Sequence, residues 1–227
     1  MRFTIIAAAA LLAACASTAS IGQAPAAAPS ATASPVAAAL SPAEGTSLNP
    51  AEAPAGAYTM DVRHASVVWR IRHTGLGLYT ARFDTVAGAL TFDPQSPANS
   101  TITATIDAAS VSTGLLNRDG QRAFDREIAN AIGASASPTI TFASRSIQLT
   151  GPTTGLITGD LTLNGQTHPV ILEAGFHGGR FIQLRGKHVI AFSARTIIRR
   201  SDWGVTQWAL FTGDEVEVLI DAEFIKD

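Results

Sequence analysis

A two-residue alternation of apolar and polar side chains begins at Tyr58 and returns, segment after segment, until Phe224. Nothing else in the sequence restricts the fold as strongly. In its first clear stretch Val67, Trp69, Ile71 and His73 share one parity, and Val68, Arg70 and Arg72 the other. Successive strand side chains point to opposite faces, so this is a strand with one face buried and one wet. The same phase recurs through Val86, Gly88, Leu90 and Phe92, then through Ile102, Ala104 and Ile106. It recurs at Ile140 and Phe142; at Ile157, Gly159, Leu161 and Leu163; and at Val170, Leu172, Ala174 and Phe176. Ile190, Phe192, Ala194, Thr196 and Ile198 follow, then Val216, Val218, Ile220, Ala222 and Phe224.

The punctuation between these runs fits antiparallel neighbours. Asp61 to His64 is expected to turn a short strand into the strand Ser66 to His73, and Gly75 and Gly77 to end it. Leu78 to Phe92 reads as one long strand, bent near Gly88 as a barrel wall requires. Ser146 marks a bulge, Asn164-Gly165 a tight hairpin, and Gly178-Gly179 a further turn. Only Ser110 to Gly133 breaks the pattern. There Asn117-Arg118-Asp119 is expected to open a helix running to about Ala129, with Phe124, Ile128 and Ile132 at helical spacing. Asp119 would sit favourably at its positive end. The expected fold is all-β: about eight antiparallel strands in a barrel or sandwich, with a short helical insertion. An eight-stranded barrel is wide enough for one slender ligand.

The first quarter of the chain has a different character. Met1-Arg2 and the apolar run Phe3 to Ala14 form a segment of about a dozen residues, short of the roughly 20 a membrane-spanning helix needs, and suited to a secretory leader. The run ends Leu12-Ala13-Ala14-Cys15, which resembles the bacterial lipobox, and Cys15 is the only cysteine of 227 residues. Residues 1–14 therefore read as a lipoprotein signal peptide and Cys15 as a lipid-anchor site. By resemblance to sorting in enteric bacteria, Ala16 directs the protein to the outer membrane, facing the periplasm. Residues 15–56, rich in Ala, Pro, Ser and Thr, cannot bury enough apolar surface to order themselves and read as a disordered tether. Residues 57–227 are the folded domain. A single cysteine excludes an intrachain disulfide, and a net charge of −2 gives no footprint for nucleic acid.

Several motifs of the folded part resemble those of the YceI-like family. They are Asp61-x-x-His64-x-Ser66-x-x-Trp69-x-Ile71-Arg72-His73; Ile106-Asp-Ala-Ala-Ser110-Val-x-Thr113-Gly114 with Arg118-Asp119; and Ser137-Pro-Thr-Ile-Thr-Phe142-x-Ser144. Gly159-Asp160-Leu161-Thr162-Leu-Asn-Gly165-x-Thr167-x-Pro169-Val170 and Arg200-Ser201-Asp202-Trp203-Gly204 complete the set. The resemblance runs in order from Tyr58 to Phe224. It implies a lipocalin-like barrel whose apolar cavity holds an isoprenoid chain, such as an isoprenoid quinone or a prenyl diphosphate. The segment after Arg118-Asp119 has fewer aromatics than the family usually carries, and Trp69 stands where Phe is more usual.

Candidate ligand-binding residues are Val67, Trp69, Ile71, His73, Val86, Leu90, Phe92, Ile102, Phe142, Leu161, Phe192, Val218 and Ile220. Each alone reads more readily as core than as ligand-lining. The small residues among the inward positions (Gly88, Ala104, Gly159, Ala174, Ala194, Ala222) are what would leave a tube unfilled. Arg72 and His64 are expected to flank one mouth beside His73, where they would meet a polar head or simply pair with Asp61 or Asp202. Arg200 and Asp202 are expected to fix the loop that closes the barrel.

Catalytic readings find little support. The five histidines lack metal-ligand spacing, and there is no Gly-x-Ser-x-Gly elbow. The expectation is a non-enzymatic, lipid-anchored carrier with no metal and no cofactor apart from its isoprenoid or similar long-chain ligand. Two alternatives stand beside it: an envelope structural or stress protein acting through its surface, and a hydrolase using the mouth histidines.

Overall fold

A computed structural model describes residues 41–227. The leader, Cys15 and most of the expected tether lie outside the described residues. The strands are β1 (Gly56–His73), β2 (Leu78–Phe83), β3 (Val86–Phe92), β4 (Thr101–Asp107), β5 (Val111–Ser112), β6 (Thr139–Leu149), β7 (Thr154–Leu163), β8 (Gln166–Ile182), β9 (Lys187–Arg199) and β10 (Thr212–Lys226). Among the described residues one α-helix, α1, spans Ala123–Ala131.

The strands close into an antiparallel barrel, running β10-β9-β8-β7-β6-β4-β3-β1 with β10 pairing back onto β1. The long β1 pairs with β3 along its first residues and with β2 along its last, so β2 and β3 share one stave. Likewise β4 pairs with β3 and β5 with β2, which makes β4 and β5 a second shared stave. The ten segments thus build eight staves, as the alternation predicts. Closure gives each of these long strands a partner on both sides along at least part of its length.

Several expected turns are bulges instead. The register on β10 moves only from Phe224 to Ala222 while β1 advances from Met60 to Ala65. Asp61 to His64 therefore bulge out of a continuous strand rather than turning the chain. His177 is skipped between the pairs Phe176–Phe192 and Gly178–Ala191, and Gly179 pairs with Ile190, so the chain bulges at His177 inside β8 and does not turn at Gly178-Gly179. The bulge expected at Ser146 is present, with Arg145 as the skipped residue. Leu78 to Phe92 is interrupted at Asp84-Thr85, not bent at Gly88. Asn164 and Gly165, at φ 50° and 71°, link Leu163 to Gln166 in the expected tight hairpin.

The helix begins later than expected. Asn117 Oδ1 accepts the amides of Asp119 and Gln121, and this local bonding holds a turn where a helix would otherwise start. Asp119 therefore lies outside α1, and Asp125 is the acid of its first turn.

The tether expected through Gly56 ends sooner. Ser47 pairs with Gly179 through two backbone hydrogen bonds of 3.0 and 2.9 Å. Asn49 caps a 3₁₀ turn at Pro50–Glu52, Ala53 is buried, and the Tyr58 hydroxyl donates to Pro54 O at 2.6 Å. Residues 47–54 belong to the folded body.

Candidate functional site

The barrel has two ends with different contents. At the lower end, where β1 begins, Tyr58, Phe92, Phe176, Phe192 and Phe224 form a chain of ring contacts with centroids 5.3–6.5 Å apart. Tyr58, Phe224 and Ile190 are essentially inaccessible there. At the upper end, where β1 finishes, Phe124 and Ile128 of α1 and Ile132 at its C-terminal cap lie against the interior.

Between them the interior is hollow. A cavity of about 560 Å³ runs along the bore. Its presence explains a burial pattern that a solid core would not give: Trp69, Ile102, Ala104, Ile106, Leu161, Phe192, Ala194, Val218 and Ile220 point inward yet keep part of their surface accessible. All the candidates from Val67 through Ile220 lie on this wall, including Ile71, His73, Val86, Leu90, Phe92 and Phe142. The β-alternation put them there, because one parity of a closed sheet has nowhere else to face.

The small residues do not all make space. A Cβ on Gly159 would lie 2.4 Å from the Phe142 ring, and one on Gly88 would lie 2.7 Å from the Met60 methyl. Those two positions are filled by neighbours. The open room lies beside Ala104, Ala174, Ala194 and Ala222, which line the cavity.

The wall also includes residues the alternation did not single out. Tyr79 was legible in principle, since it shares parity with Ala81 and Phe83 on β2. Trp208 and Phe211 were not, because they sit on an irregular loop. Tyr79 bridges Trp69 and Phe124, and Phe124 meets Trp208, with centroids 6.0–6.2 Å apart. These rings frame the upper mouth.

Arg200 is the charged side chain on the cavity wall among the described residues. It is buried, and its guanidinium donates to the carbonyls of Gly213, Val205 and Gln207 and to Thr212 Oγ1 at 2.8–3.1 Å. It has no carboxylate partner among the described residues. The loop it holds is the expected closing loop, but Asp202 takes no part. Asp214 does that work: it accepts from Ser201 Oγ and the Ser201 amide and pairs with Arg199. Those bonds, led by the Ser201 hydroxyl, hold its carboxyl below the ordinary range.

Arg72 and His64 do not share an end. Arg72 is at the upper end, where Nη1 donates to Leu76 O at 2.6 Å. His64 lies in the β1 bulge toward the lower end, 2.8 Å from Asp61. The reason is length: eight residues of strand, at about 3.3 Å each, separate them by roughly 26 Å. Asp61 is buried, and burial by itself would raise its pKa. Hydrogen bonds from Arg185, His64 and the Arg63 amide, together with the Arg185 charge, outweigh that and hold it at about 2. Asp61, His64 and Glu223 converge closely enough to suit a cation, but the Arg185 guanidinium already occupies Asp61. His73 is exposed at the mouth, with no side-chain hydrogen bond among the described residues. The serine–histidine contact in the barrel is elsewhere, between His177 Nε2 and Ser193 Oγ at 2.7 Å.

Comparison with known proteins agrees with this architecture. The YceI-like domain matches residues 58–224. A UPF0312 protein of Ectopseudomonas mendocina is 32% identical over 80% of this chain and 94% of its own. Among solved structures, BcnA of Burkholderia cenocepacia superimposes with a TM-score of 0.59 at 21% identity, covering 72% of this chain and 98% of that one. A polyisoprenoid binding domain from Saccharophagus degradans, implicated in plant cell wall breakdown, gives 0.55 at 15% identity, covering 76% and 99%.

Proposed function

The chain belongs to the YceI-like family, and from that premise we propose that it is a periplasm-facing, lipid-anchored carrier of one isoprenoid or similar long-chain amphipathic lipid. The observation that carries this reading is the hollow, apolar bore with inward side chains left partly accessible along its length. The polyisoprenoid-binding neighbour of the same fold supports the ligand class. The leader and Cys15 support the anchoring and the compartment.

The volume gives a scale for the guest. At about 30 Å³ per heavy atom, water's share of liquid volume, the bore takes on the order of twenty atoms of chain. Each ~100 Å² of apolar surface enclosed contributes about 2.5 kcal/mol, against association costs of about 4–15 kcal/mol. A branched, slender chain gains by filling the bore along its length, whereas a short ligand leaves too much of it empty. Arg200 and His73 at the upper mouth supply the polar contacts for a head group carrying phosphate or carbonyl oxygen.

Native mass spectrometry of the protein, released gently from its host membrane, tests the reading. The expected spectrum shows a single lipid adduct whose fragments are isoprenoid or long-chain. A clean unliganded mass, unchanged on incubation with prenyl lipids, overturns it.

A further inference from the structure

Seven of the fourteen large apolar side chains exposed among the described residues stand around one mouth, whereas Leu48, Leu149, Phe181 and Leu184 are exposed at the opposite end. Leu76 and Leu78 on the β1–β2 turn are 77% and 51% accessible, Leu115 and Leu116 on the loop before α1 53% and 64%, and Leu210 and Phe211 on the β9–β10 loop 93% and 58%. Three loops distant in sequence converge here. The Thr74 amide donates to Phe211 O at 2.6 Å, Trp208 on that loop meets Phe124 of α1, and Asp125 of α1 accepts the Thr113 amide at 3.0 Å.

We propose that this upper rim docks into the surface of a lipid bilayer, so that the guest passes between membrane and bore without crossing water. The proposal rests on the carrier reading. Contiguous apolar patches of this kind mark interaction surfaces. This one is continuous with the bore, since Phe124 and Phe211 belong to both the exposed rim and the cavity wall. A surface that opens directly onto an apolar channel suits the phase in which such a ligand is stored.

Charge sets the type of membrane contact. Arg72, Arg118 and Arg126 stand near the rim without carboxylate partners among the described residues, but Asp119 and Glu127 lie next to two of them in sequence. Apolar contact, not a cationic field, must hold the rim, so docking extends to zwitterionic lipid and resists salt. An anchor at Cys15 permits this geometry even though the described chain begins at the lower end. The residues between Cys15 and Ser41 span at most about 3.3–3.6 Å each, which gives a reach of roughly 90 Å. The longest stave, 18 residues at about 3.3 Å, is about 60 Å.

An environment-sensitive fluorophore tests the rim by position. In the full chain carrying Cys15→Ser, a label is placed through Leu210→Cys at the rim or Leu184→Cys on the β8–β9 hairpin at the opposite end. On adding phosphatidylcholine vesicles, the rim label is expected to blue-shift and brighten several-fold at low and high salt, while the label at 184 stays unchanged. A silent rim label, or an equal response at both positions, overturns the proposal. A concentration-dependent shift at 210 without vesicles also overturns it, and identifies an interface between copies of this chain. Prenol binding measured without vesicles separates the two readings. Binding with a silent rim leaves the carrier and removes the docking, whereas rim insertion with no prenol bound removes the carrier. Leu76→Ser, Leu116→Ser and Leu210→Ser together are expected to slow extraction of prenyl lipid from vesicles at least tenfold while leaving vesicle-free affinity unchanged.

Discussion

Asp61 shows how one residue in a bulge secures a long strand. Setting four residues of β1 against the single Glu223 of β10 would leave Asp61 to His64 loose. Instead the Asp61 carboxylate gathers the Arg63 amide, the His64 ring and, from the β8–β9 hairpin, the Arg185 guanidinium. Its pKa of about 2 lies below the roughly 3.9 of an unfolded aspartate. The bonded carboxylate therefore contributes its full stability above about pH 4 and loses it as the pH falls toward 2. Asp61→Asn is expected to lower the melting temperature at pH 7, and the gap to the parent protein should close between pH 4 and 2. Thermal unfolding at pH 7, 4 and 2 measures this; a gap that stays constant across the range would contradict it. Sequence indicated the Asp61–His64 contact, because the two are three residues apart. It could not indicate Arg185, which is 124 positions away and arrives only when the barrel closes.

At the scale of elements, the pairing of β6 with β7 shows the limit of counting small residues. Gly159 looks like a source of empty space, yet the Phe142 ring lies across it and the Ala143 carbonyl is as close. An added Cβ meets backbone as well as ring, so relief requires the strands to move apart. Gly159→Ala is expected to destabilise the protein by about 1–3 kcal/mol. Chemical denaturation, read as a shift in midpoint at constant slope, checks it. The strands themselves were legible, since period-2 alternation depends on each segment alone. Bulges were less so: Asp61–His64 and the stretch around Gly178-Gly179 carry turn-like sequences, and only the partner strand continuing alongside makes the first a bulge and places another at His177. The start of α1 was misplaced for a similar reason. Asn117 can cap a helix or close a turn, and the backbone around it chose the turn.

For the whole molecule, the question is whether the bore is room or merely loose packing. Ala194 on β9 pairs with Ala174 on β8 and Ile220 on β10, and all three line the cavity. Ala194→Phe projects a ring into that room. It is expected to weaken prenyl-lipid binding at least tenfold and to leave the melting temperature unchanged or raised, because the ring fills space without displacing neighbours. A loss of about 1–3 kcal/mol, the usual cost of overpacking a filled core, would show that the space was not free. Binding and unfolding measured on the same sample decide between the two.

What the sequence determined by itself is the set of inward-facing residues: alternation is a local property, and a closed sheet turns parity into inside and outside. The hairpin at Asn164-Gly165 and the family motifs were local in the same sense. What only the tertiary structure decided is how much of the inside is empty, where aromatic rings narrow it, and which exposed side chains gather at its upper mouth. Those depend on side chains from distant strands meeting, or failing to meet, across the bore. Phe142 covers Gly159 while Ala174 and Ala194, side by side on β8 and β9, border open space, and no single segment carries the information that separates the two cases.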